Sequence, residues 1–239
     1  MPESENQYTM EVDMEQKTEI QILETLEQKR ETIPLYQRAF ADPELFVSYY
    51  YKEKCKDNWI FVKKKANKII AMLHLNPYTI FVNGNEYPSF YIVAVATEKQ
   101  HRHQGHMKDL LYKAFAWMKE RKVPFCFLMP VDPKIYEPFG FEKICDFDRN
   151  AQRSMEEIQK NFNIYCKRDE TYQNRFKQEK ELAAILGGEE DGLPDQPIIM
   201  GKIINRDIFA ILSGLKQTEK ETVLLEWLRK QRIYICEEV

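Results

Sequence analysis

The chain has 239 residues, of which 44% are hydrophobic and 13% aromatic, so it is able to build a sizeable core. Its 35 basic and 38 acidic side chains nearly balance, which argues against general nucleic-acid binding. No apolar run approaches the roughly 20 residues that cross a bilayer, and the acidic N-terminus does not resemble a signal peptide. We therefore expect a globular, cytoplasmic protein with neither a nucleic acid nor a membrane as partner.

The cysteines predict neither a disulfide framework nor a metal site. They are odd in number, widely spaced and without a CxxC pair, which is typical of reduced thiols. The five are Cys55, Cys126, Cys145, Cys166 and Cys236. We expect no metal cofactor.

The N-terminal part of the chain has helical patterns. Residues 1–14 lack hydrophobic periodicity and are predicted to be flexible. The next segment is predicted to be a helix that Pro34 interrupts, followed by a second helix that Asp42 caps, with Pro43 in its first turn. The main domain, residues 15–150, is thus expected to open with helices. The apolar residues at helical spacing in the first of these helices are Ile20, Ile22, Leu23 and Leu26.

Apolar runs in the middle of the chain predict a sheet. Turn signals at Asn67 and Asn83–Gly84 divide these runs into an antiparallel meander. A helix with an apolar face follows at about 107–121, and then an apolar strand at 123–129. A strand, a helix and a strand in this order predict a parallel pair joined by a crossover. We expect an α/β (α+β) fold with a mixed, mostly antiparallel central sheet flanked by helices.

The chain changes character after the main domain. Residues 151–193 are charged, follow a helical pattern and end in a glycine-rich acidic loop, which predicts a helical connector and a domain boundary. Residues 194–239 contain strand, helix, helix and strand signals, with a capping box predicted at Thr218 and Glu221. A small C-terminal α/β region is therefore expected.

The most informative stretch is VAVATEKQHRHQGHMKDLL, at residues 93–111, where a buried strand passes through a polar turn into a helix. A helix N-terminus carries unpaired N–H groups and a partial positive charge, so it is able to bind an anion. Gly105 would allow close approach of the backbone, and Arg102 adds charge. The alternative is an ordinary solvated turn, and spacing alone does not decide between the two.

Two motifs resemble those of the GNAT N-acetyltransferases. That family has a phosphate loop of the form Arg/Gln-x-x-Gly-x-Gly/Ala between a central strand and a helix, where this chain has RHQGHM. The later stretch IYEPFGF is similar to the family's Tyr-x-x-x-Gly-Phe turn. The resemblance covers about residues 33–146 and implies the GNAT fold. The stretches HLNPYTI and VATEKQHRHQGHM look most like the Eis-like (enhanced intracellular survival) branch, in a shortened form.

The resemblance implies acetyl-CoA as the acetyl donor, bound in the opening between the strand that ends at Thr97 and the strand that ends at Met129. The backbone of Val95 and Thr97 would pair with the pantetheine amides, and the N–H groups of residues 103–108 would hold the pyrophosphate, with Arg102 close by. Met107 departs from the family pattern, and we expect it to point into the core. The implied cofactor residues are Val95, Ala96, Thr97, Arg102, His103, Gln104, Gly105, His106, Met107 and Lys108.

The histidines of the loop also permit a catalytic or metal-binding interpretation. His101, His103 and His106 have no carboxylate at metal-ligand spacing, and we favour solvent-exposed positions that contact phosphate. His74, on a predicted strand, is interpreted as a hydrogen-bonded or substrate-facing side chain rather than a base.

The same resemblance implies roles in catalysis. Tyr136, in the tyrosine turn, would protonate the CoA thiolate, and the terminal carboxylate of Val239 would act as the base. Aromatic residues of the early helices would line the acceptor pocket: Tyr36, Phe40, Phe46 and Tyr50. The acceptor would be a primary amine on an aminoglycoside-like, polyamine or lysyl compound.

Two alternatives to an enzyme remain. A GNAT-fold module that binds CoA or a partner without catalysis is the main one, and an adaptor built on residues 151–239 is the other. A homo-oligomer is also possible.

Overall fold

The computed structural model describes residues 18–147, 153–186 and 196–236, and these form a mixed, mostly antiparallel sheet flanked by helices. The predicted fold class is confirmed. The strands are β1 (Thr18–Leu23), β2 (Trp59–Lys65), β3 (Lys68–Val82), β4 (Asn85–Thr97), β5 (Phe125–Leu128), β6 (Glu142–Asp146), β7 (Ile164–Cys166), β8 (Ile198–Ile203) and β9 (Ile233–Tyr234). The helices are α1 (Leu26–Arg30), α2 (Ile33–Phe40), α3 (Glu44–Glu53), α4 (His106–Glu120), α5 (Met155–Asn161), α6 (Glu170–Ile185), α7 (Arg206–Ser213) and α8 (Glu221–Arg229).

The chain divides into two compact units. Unit 1 comprises residues 1–75 and 94–114, and unit 2 comprises residues 76–93 and 115–239. Strands β3 and β4 and helix α4 each contribute residues to both units. The predicted flexible residues 1–14 and most of the predicted loop before the C-terminal region lie outside the described residues.

Unit 1 contains antiparallel strands in the order β1-β2-β3. Only Ala66 and Asn67 separate the paired residues Lys65 and Lys68, and both turn residues have positive φ, 46° and 59°. This is the geometry of a two-residue type I′ turn, so the predicted turn at Asn67 is confirmed.

The first segment of unit 1 corrects the sequence prediction. Residues 18–23 form β1 rather than a helix. Ile20 and Ile22 also fit a period of two, and they pair with Lys63 and Phe61 of β2. A short apolar run fits both periods, and pairing with β2 decides in favour of the strand.

The helices of unit 1 begin and end at local signals, although not all the predicted ones. Thr25 forms a capping box with Gln28 at the start of α1. Pro34 lies in the first turn of α2, where its missing N–H has no effect. The predicted cap at Asp42 is wrong: α3 starts at Glu44 with Pro43 as N-cap and no side-chain cap.

Unit 2 contains the hairpin of β3 and β4, whose turn at Asn83–Gly84 confirms the prediction. Strand β5 runs parallel to β4, with Tyr91 opposite Phe127, which confirms the predicted parallel pair. Strand β8 is antiparallel to both β5 and β6 and lies between them. On the other side, β7 pairs with the end of β3, and β9 runs parallel to β7.

Two features of the C-terminal part were not predicted correctly. A short strand, β7, interrupts the segment that we predicted to be a helical connector. Helix α8 starts at Glu221 after Lys220, without a side-chain cap, so the predicted capping box at Thr218 is wrong.

Each unit has its own apolar interior: Ile60, Phe61 and Leu73 are fully buried in unit 1, and Phe125, Phe127 and Phe209 in unit 2.

Candidate functional site

The turn between β4 and α4, in unit 1, has a backbone that is shaped for close approach. After Thr97 the chain makes a short 3-10 helix, and α4 begins at His106. His103 and Gly105 both have positive φ, 60° and 81°, and alternating conformations of this kind form anion-binding nests. A Cβ built at Gly105 would have no protein atom within 4 Å, so the space beside this glycine is open.

The N–H groups of this turn are available to a ligand. The first backbone bond of α4 runs from the Asp109 nitrogen to the Gly105 oxygen, at 3.0 Å. Within the described part of the chain, no N–H group of residues 103–108 donates a hydrogen bond. Unpaired N–H groups and the positive end of the helix dipole favour an anion, above all a phosphate.

Two arginines flank the turn. The Nε atom of Arg102 donates to the carbonyl oxygen of Thr97 at 3.2 Å, which ties the start of the loop to the end of β4. Arg38, on α2, forms an ion pair with Glu98, which directly follows β4. The helix that carries Tyr36 and Phe40 is therefore linked to the same end of β4.

The loop histidines differ in burial, which corrects the prediction that all are exposed. His103 is exposed and His101 is partly exposed, but His106 is only 8% exposed. Neither ring nitrogen of His106 has a hydrogen-bond partner among the described residues. Burial, followed by the charge of Lys63, lowers the pKa of His106, so this ring is neutral at pH 7. Met107 is half-buried, and its predicted direction stays a prediction.

Strand β4 carries a backbone feature that the sequence did not reveal. Ala94, in the middle of the strand, has a φ of 50°, in the left-handed region that alanine rarely adopts. Such strain persists only where the surrounding structure holds it, and it is common at functional sites. The next three residues, Val95, Ala96 and Thr97, are among the predicted cofactor residues, and the backbone of Val95 and Thr97 is predicted to pair with pantetheine.

The predicted acceptor residues form one aromatic cluster in unit 1. The rings of Tyr36 and Tyr50 stack with centroids 5.4 Å apart, and Tyr36 also contacts Phe40 at 4.9 Å. Phe46 stacks on Tyr50 at 6.4 Å. Tyr50 is fully buried, whereas Phe40 is 39% exposed. Any contact with a bound molecule in this conformation would therefore involve Phe40 rather than Tyr50.

Asp42 and His74 form hydrogen bonds with two tyrosines of this aromatic cluster. The Tyr36 hydroxyl donates to Asp42 at 2.7 Å, and burial raises the pKa of both groups. The Tyr50 hydroxyl lies 2.9 Å from Nδ1 of His74, whose ring is fully buried. Burial lowers the pKa of His74 to about 3, so His74 is neutral near pH 7 and a poor proton acceptor. Its Nε2 atom has no partner among the described residues.

Tyr136 lies in unit 2, in a turn made of two short 3-10 helices that ends at Gly140, with φ of 79°. Its ring packs edge-on against Phe141, with centroids 5.9 Å apart. Burial raises the pKa of Tyr136 to about 12, so the phenol keeps its proton at neutral pH. The positive φ of Gly140 is a conformation that other residues rarely adopt, which explains the glycine.

The remaining sequence predictions concern the C-terminal carboxylate, metal binding and membrane spans. Val239 lies outside the described residues, so its role stays a prediction. In the described ranges, no group of three or more His, Cys, Asp or Glu side chains is placed to hold a metal ion. No helix of those ranges is long and apolar enough to span a membrane.

The turn between β4 and α4 belongs to a mixed, mostly antiparallel sheet flanked by helices, which is consistent with the GNAT fold. A family model described as an acetyltransferase (GNAT) domain matches residues 23–144, which is just over half of the chain. The chain therefore belongs to the GNAT acetyltransferase family. A search of functionally curated proteins finds no significant match.

Solved structures of low sequence identity share the fold. A protein from Enterococcus faecalis V583, described as a probable N-acyltransferase, is 17% identical with a TM-score of 0.51 over 54% of this chain and 33% of its own. Eis1 from Mycobacterium abscessus is 14% identical, with a TM-score of 0.52 over 70% of this chain and 48% of its own. A protein from Desulfovibrio desulfuricans assigned to the GNAT family is 8% identical, with a TM-score of 0.51 over 79% and 99%. This chain thus spans about a third of the Enterococcus protein and about half of Eis1.

Proposed function

We propose that this protein is an N-acetyltransferase that moves the acetyl group of acetyl-CoA to a primary amine. The observation that carries the proposal is the run of free N–H groups at residues 103–108, which lies within the part of the chain that matches the acetyltransferase domain. These groups would hold the pyrophosphate of the cofactor. The backbone of Val95 and Thr97 would bind the pantetheine amides and orient the thioester.

Acetyl transfer needs a neutral amine as nucleophile, stabilisation of the tetrahedral oxyanion and protonation of the departing thiolate. We propose that a backbone N–H near Val95 to Thr97 meets the oxyanion. Tyr136 would protonate the sulfur atom of CoA. The phenol of Tyr136, with its pKa raised by burial to about 12, holds its proton at neutral pH, as a general acid must.

The acceptor would bind beside the aromatic cluster of α2 and α3. Phe40 offers an exposed ring, and the Asp42 carboxylate lies next to Tyr36. Rings and a carboxylate together attract ammonium groups. The proposed acceptors are aminoglycoside-like, polyamine or lysyl amines. Kinship with the Eis-like branch rests on the stretches HLNPYTI and VATEKQHRHQGHM.

The proposal is tested with acetyl-CoA and a panel of such amines, followed by detection of free CoA thiol. We expect CoA release that depends on both the protein and the amine. Binding of acetyl-CoA in calorimetry without turnover on any amine would favour a CoA-binding module instead. An absence of acetyl-CoA binding would exclude both functions.

A further inference from the structure

Beside the turn between β4 and α4, unit 1 has a pocket that carries positive charge. Its volume is about 460 Å³, which falls in the range of small-molecule sites, so it has room for several side chains. The pocket lies between the β2–β3 turn and the 3-10 helix that follows β4. The polar residues that line it include Lys65, Lys68, Glu98, Gln100 and His101.

The two lysines of the pocket lack the partners that a neighbouring lysine has. Lys64 forms an ion pair with Glu31. Lys65 and Lys68 are paired across the β2–β3 hairpin, and neither forms an ion pair within the described residues. Like charges that are directly opposite in a sheet repel each other, so a negative group in the pocket would relieve this repulsion.

The acidic residue of the pocket does not neutralise these lysines. Among the described lining residues, Glu98 is the acidic one, and Arg38 already pairs with its carboxylate. His101 adds an imidazole to the same lining. The pocket therefore has an excess of positive charge, and it would attract carboxylates from another part of the chain.

The pairing of β1 with β2 brings the preceding part of the chain to this pocket. Thr18, the first residue of β1, lies opposite Lys65, the last residue of β2. Residues 1–17 lie outside the described part of the chain, but they join β1 at this point. Because a residue spans at most about 3.6 Å, residue 15 lies no more than about 11 Å from Thr18, and residue 11 no more than about 25 Å.

The charge of this preceding segment is opposite to that of the pocket. Residues 1–17 contain five acidic side chains and one basic side chain, Lys17. Three of the acidic residues, Glu11, Asp13 and Glu15, are among the seven residues before Thr18. A segment that is tethered close to a site has a high effective concentration there, so even weak surface charge pairs favour contact.

We propose that residues 11–15 dock in this pocket, with their carboxylates at Lys65 and Lys68, and that they thereby oppose the binding of acetyl-CoA. The docking rests on charge and on the β1–β2 register, whereas the effect on acetyl-CoA also rests on the proposed function. Carboxylates held beside the turn would repel the pyrophosphate. Docking needs attraction rather than one fixed conformation, so it agrees with the flexibility predicted for residues 1–14.

The first test measures docking in the full chain without any ligand. Glu-C protease cleaves after Glu11 and Glu15, and mass spectrometry follows the release of the two fragments. We expect cleavage to be about threefold or more faster in Lys65→Gln/Lys68→Gln than in the wild type, because two surface charge pairs are lost and the segment is free more often. Lys99→Gln is the matched control, because Lys99 is exposed, close in sequence and not part of the pocket. Thermal unfolding of each variant identifies cleavage that comes from misfolding.

The second test measures the effect on the cofactor. Calorimetry compares acetyl-CoA affinity in the wild type and in the triple variant Glu11→Gln/Asp13→Asn/Glu15→Gln. We expect the triple variant to bind acetyl-CoA about threefold or more tightly, because the competing carboxylates are gone. Glu3→Gln/Glu5→Gln is the matched control, since it removes charge from the same segment outside residues 11–15, and its affinity should equal that of the wild type.

The outcomes separate this inference from the proposed function. Equal cleavage of the wild type and Lys65→Gln/Lys68→Gln would overturn the docking. Equal acetyl-CoA affinity of the wild type and the triple variant would overturn the competition. If neither protein binds acetyl-CoA, the proposed function fails, and the cleavage experiment still decides the docking. Protection from cleavage that increases with protein concentration would place the segment in the pocket of a second copy and contradict docking within one chain.

Discussion

At the scale of single residues, Gly105 tests whether the turn between β4 and α4 binds an anion. We predict that Gly105→Asp lowers acetyl-CoA affinity by about a hundredfold or more, because the open space beside this residue would hold a carboxylate where we propose that pyrophosphate binds. Gly105→Asn is the matched control: both side chains tolerate positive φ, and only the charge differs. Calorimetric titration with acetyl-CoA measures both variants. Equal affinities for the two variants would remove the phosphate site from this turn.

Tyr136 is the second residue on which the account depends. Tyr136→Phe keeps the ring that packs on Phe141 and removes only the proton donor. We expect turnover to fall by about 100-fold or more, the usual range for a general acid, with nearly unchanged acetyl-CoA affinity. Tyr172→Phe, on helix α6, serves as the control. A Tyr136→Phe enzyme with normal turnover would assign this tyrosine to packing alone.

At the scale of secondary-structure elements, a buried hydrogen bond joins β3 to α3. His74 is fully buried with a pKa of about 3 in the folded protein, against about 6.5 when unfolded. As the pH falls, the His74 side chain is protonated in the unfolded chain before it is protonated in the folded protein. Its contribution to the free energy of unfolding is therefore complete above pH 6.5 and is lost as the pH falls towards 3. The slope from one such group is about 1.4 kcal/mol per pH unit.

We therefore predict that His74→Gln, which keeps an acceptor for the Tyr50 hydroxyl, makes stability less dependent on pH between 6.5 and 4. Urea unfolding at several pH values measures this effect. His103→Gln removes an exposed imidazole and should leave the wild-type dependence unchanged. Identical pH profiles for wild type and His74→Gln would show that His74 does not titrate abnormally.

The elements also show what the sequence was able to predict. The meander and the β4–α4–β5 unit were predicted because Asn67 and Asn83–Gly84 mark turns between clear apolar runs. Strand β1 was not predicted, because its apolar residues fit both the period of a helix and the period of a strand. Only its pairing with β2 favours the strand. Strand β7 has three residues in a charged segment, which is too short for a periodic signal.

The candidate site also has features that the sequence predicted and features that it did not. The turn before α4 and the turn that carries Tyr136 were predicted from local motifs: residues 102–105 of RHQGHM lie in the turn, and His106 and Met107 begin α4. The positive φ of Ala94 has no sequence signal. The burial of His106 and the pocket with Lys65 and Lys68 depend on segments that are distant in sequence, so neither was predicted.

At the scale of the whole molecule, the fold needs residues beyond the part that the family model matches. Strand β8 pairs with both β5 and β6, so its removal would leave two strands of unit 2 without a shared partner. We predict that a chain ending at residue 147 is insoluble or unfolds without cooperativity. Circular dichroism and thermal unfolding measure this, and a chain ending at residue 236 is the control. A shortened chain with wild-type unfolding would show that β8 is dispensable.

The central claim is that the protein transfers an acetyl group to an amine. The most direct measurement is mass spectrometry of the amines after incubation with the protein and acetyl-CoA, together with the amount of free CoA. The account predicts an N-acetylated amine formed in a one-to-one ratio with free CoA, and its loss in Gly105→Asp. Free CoA without acetylated amine, or bound acetyl-CoA that no amine discharges, would contradict it.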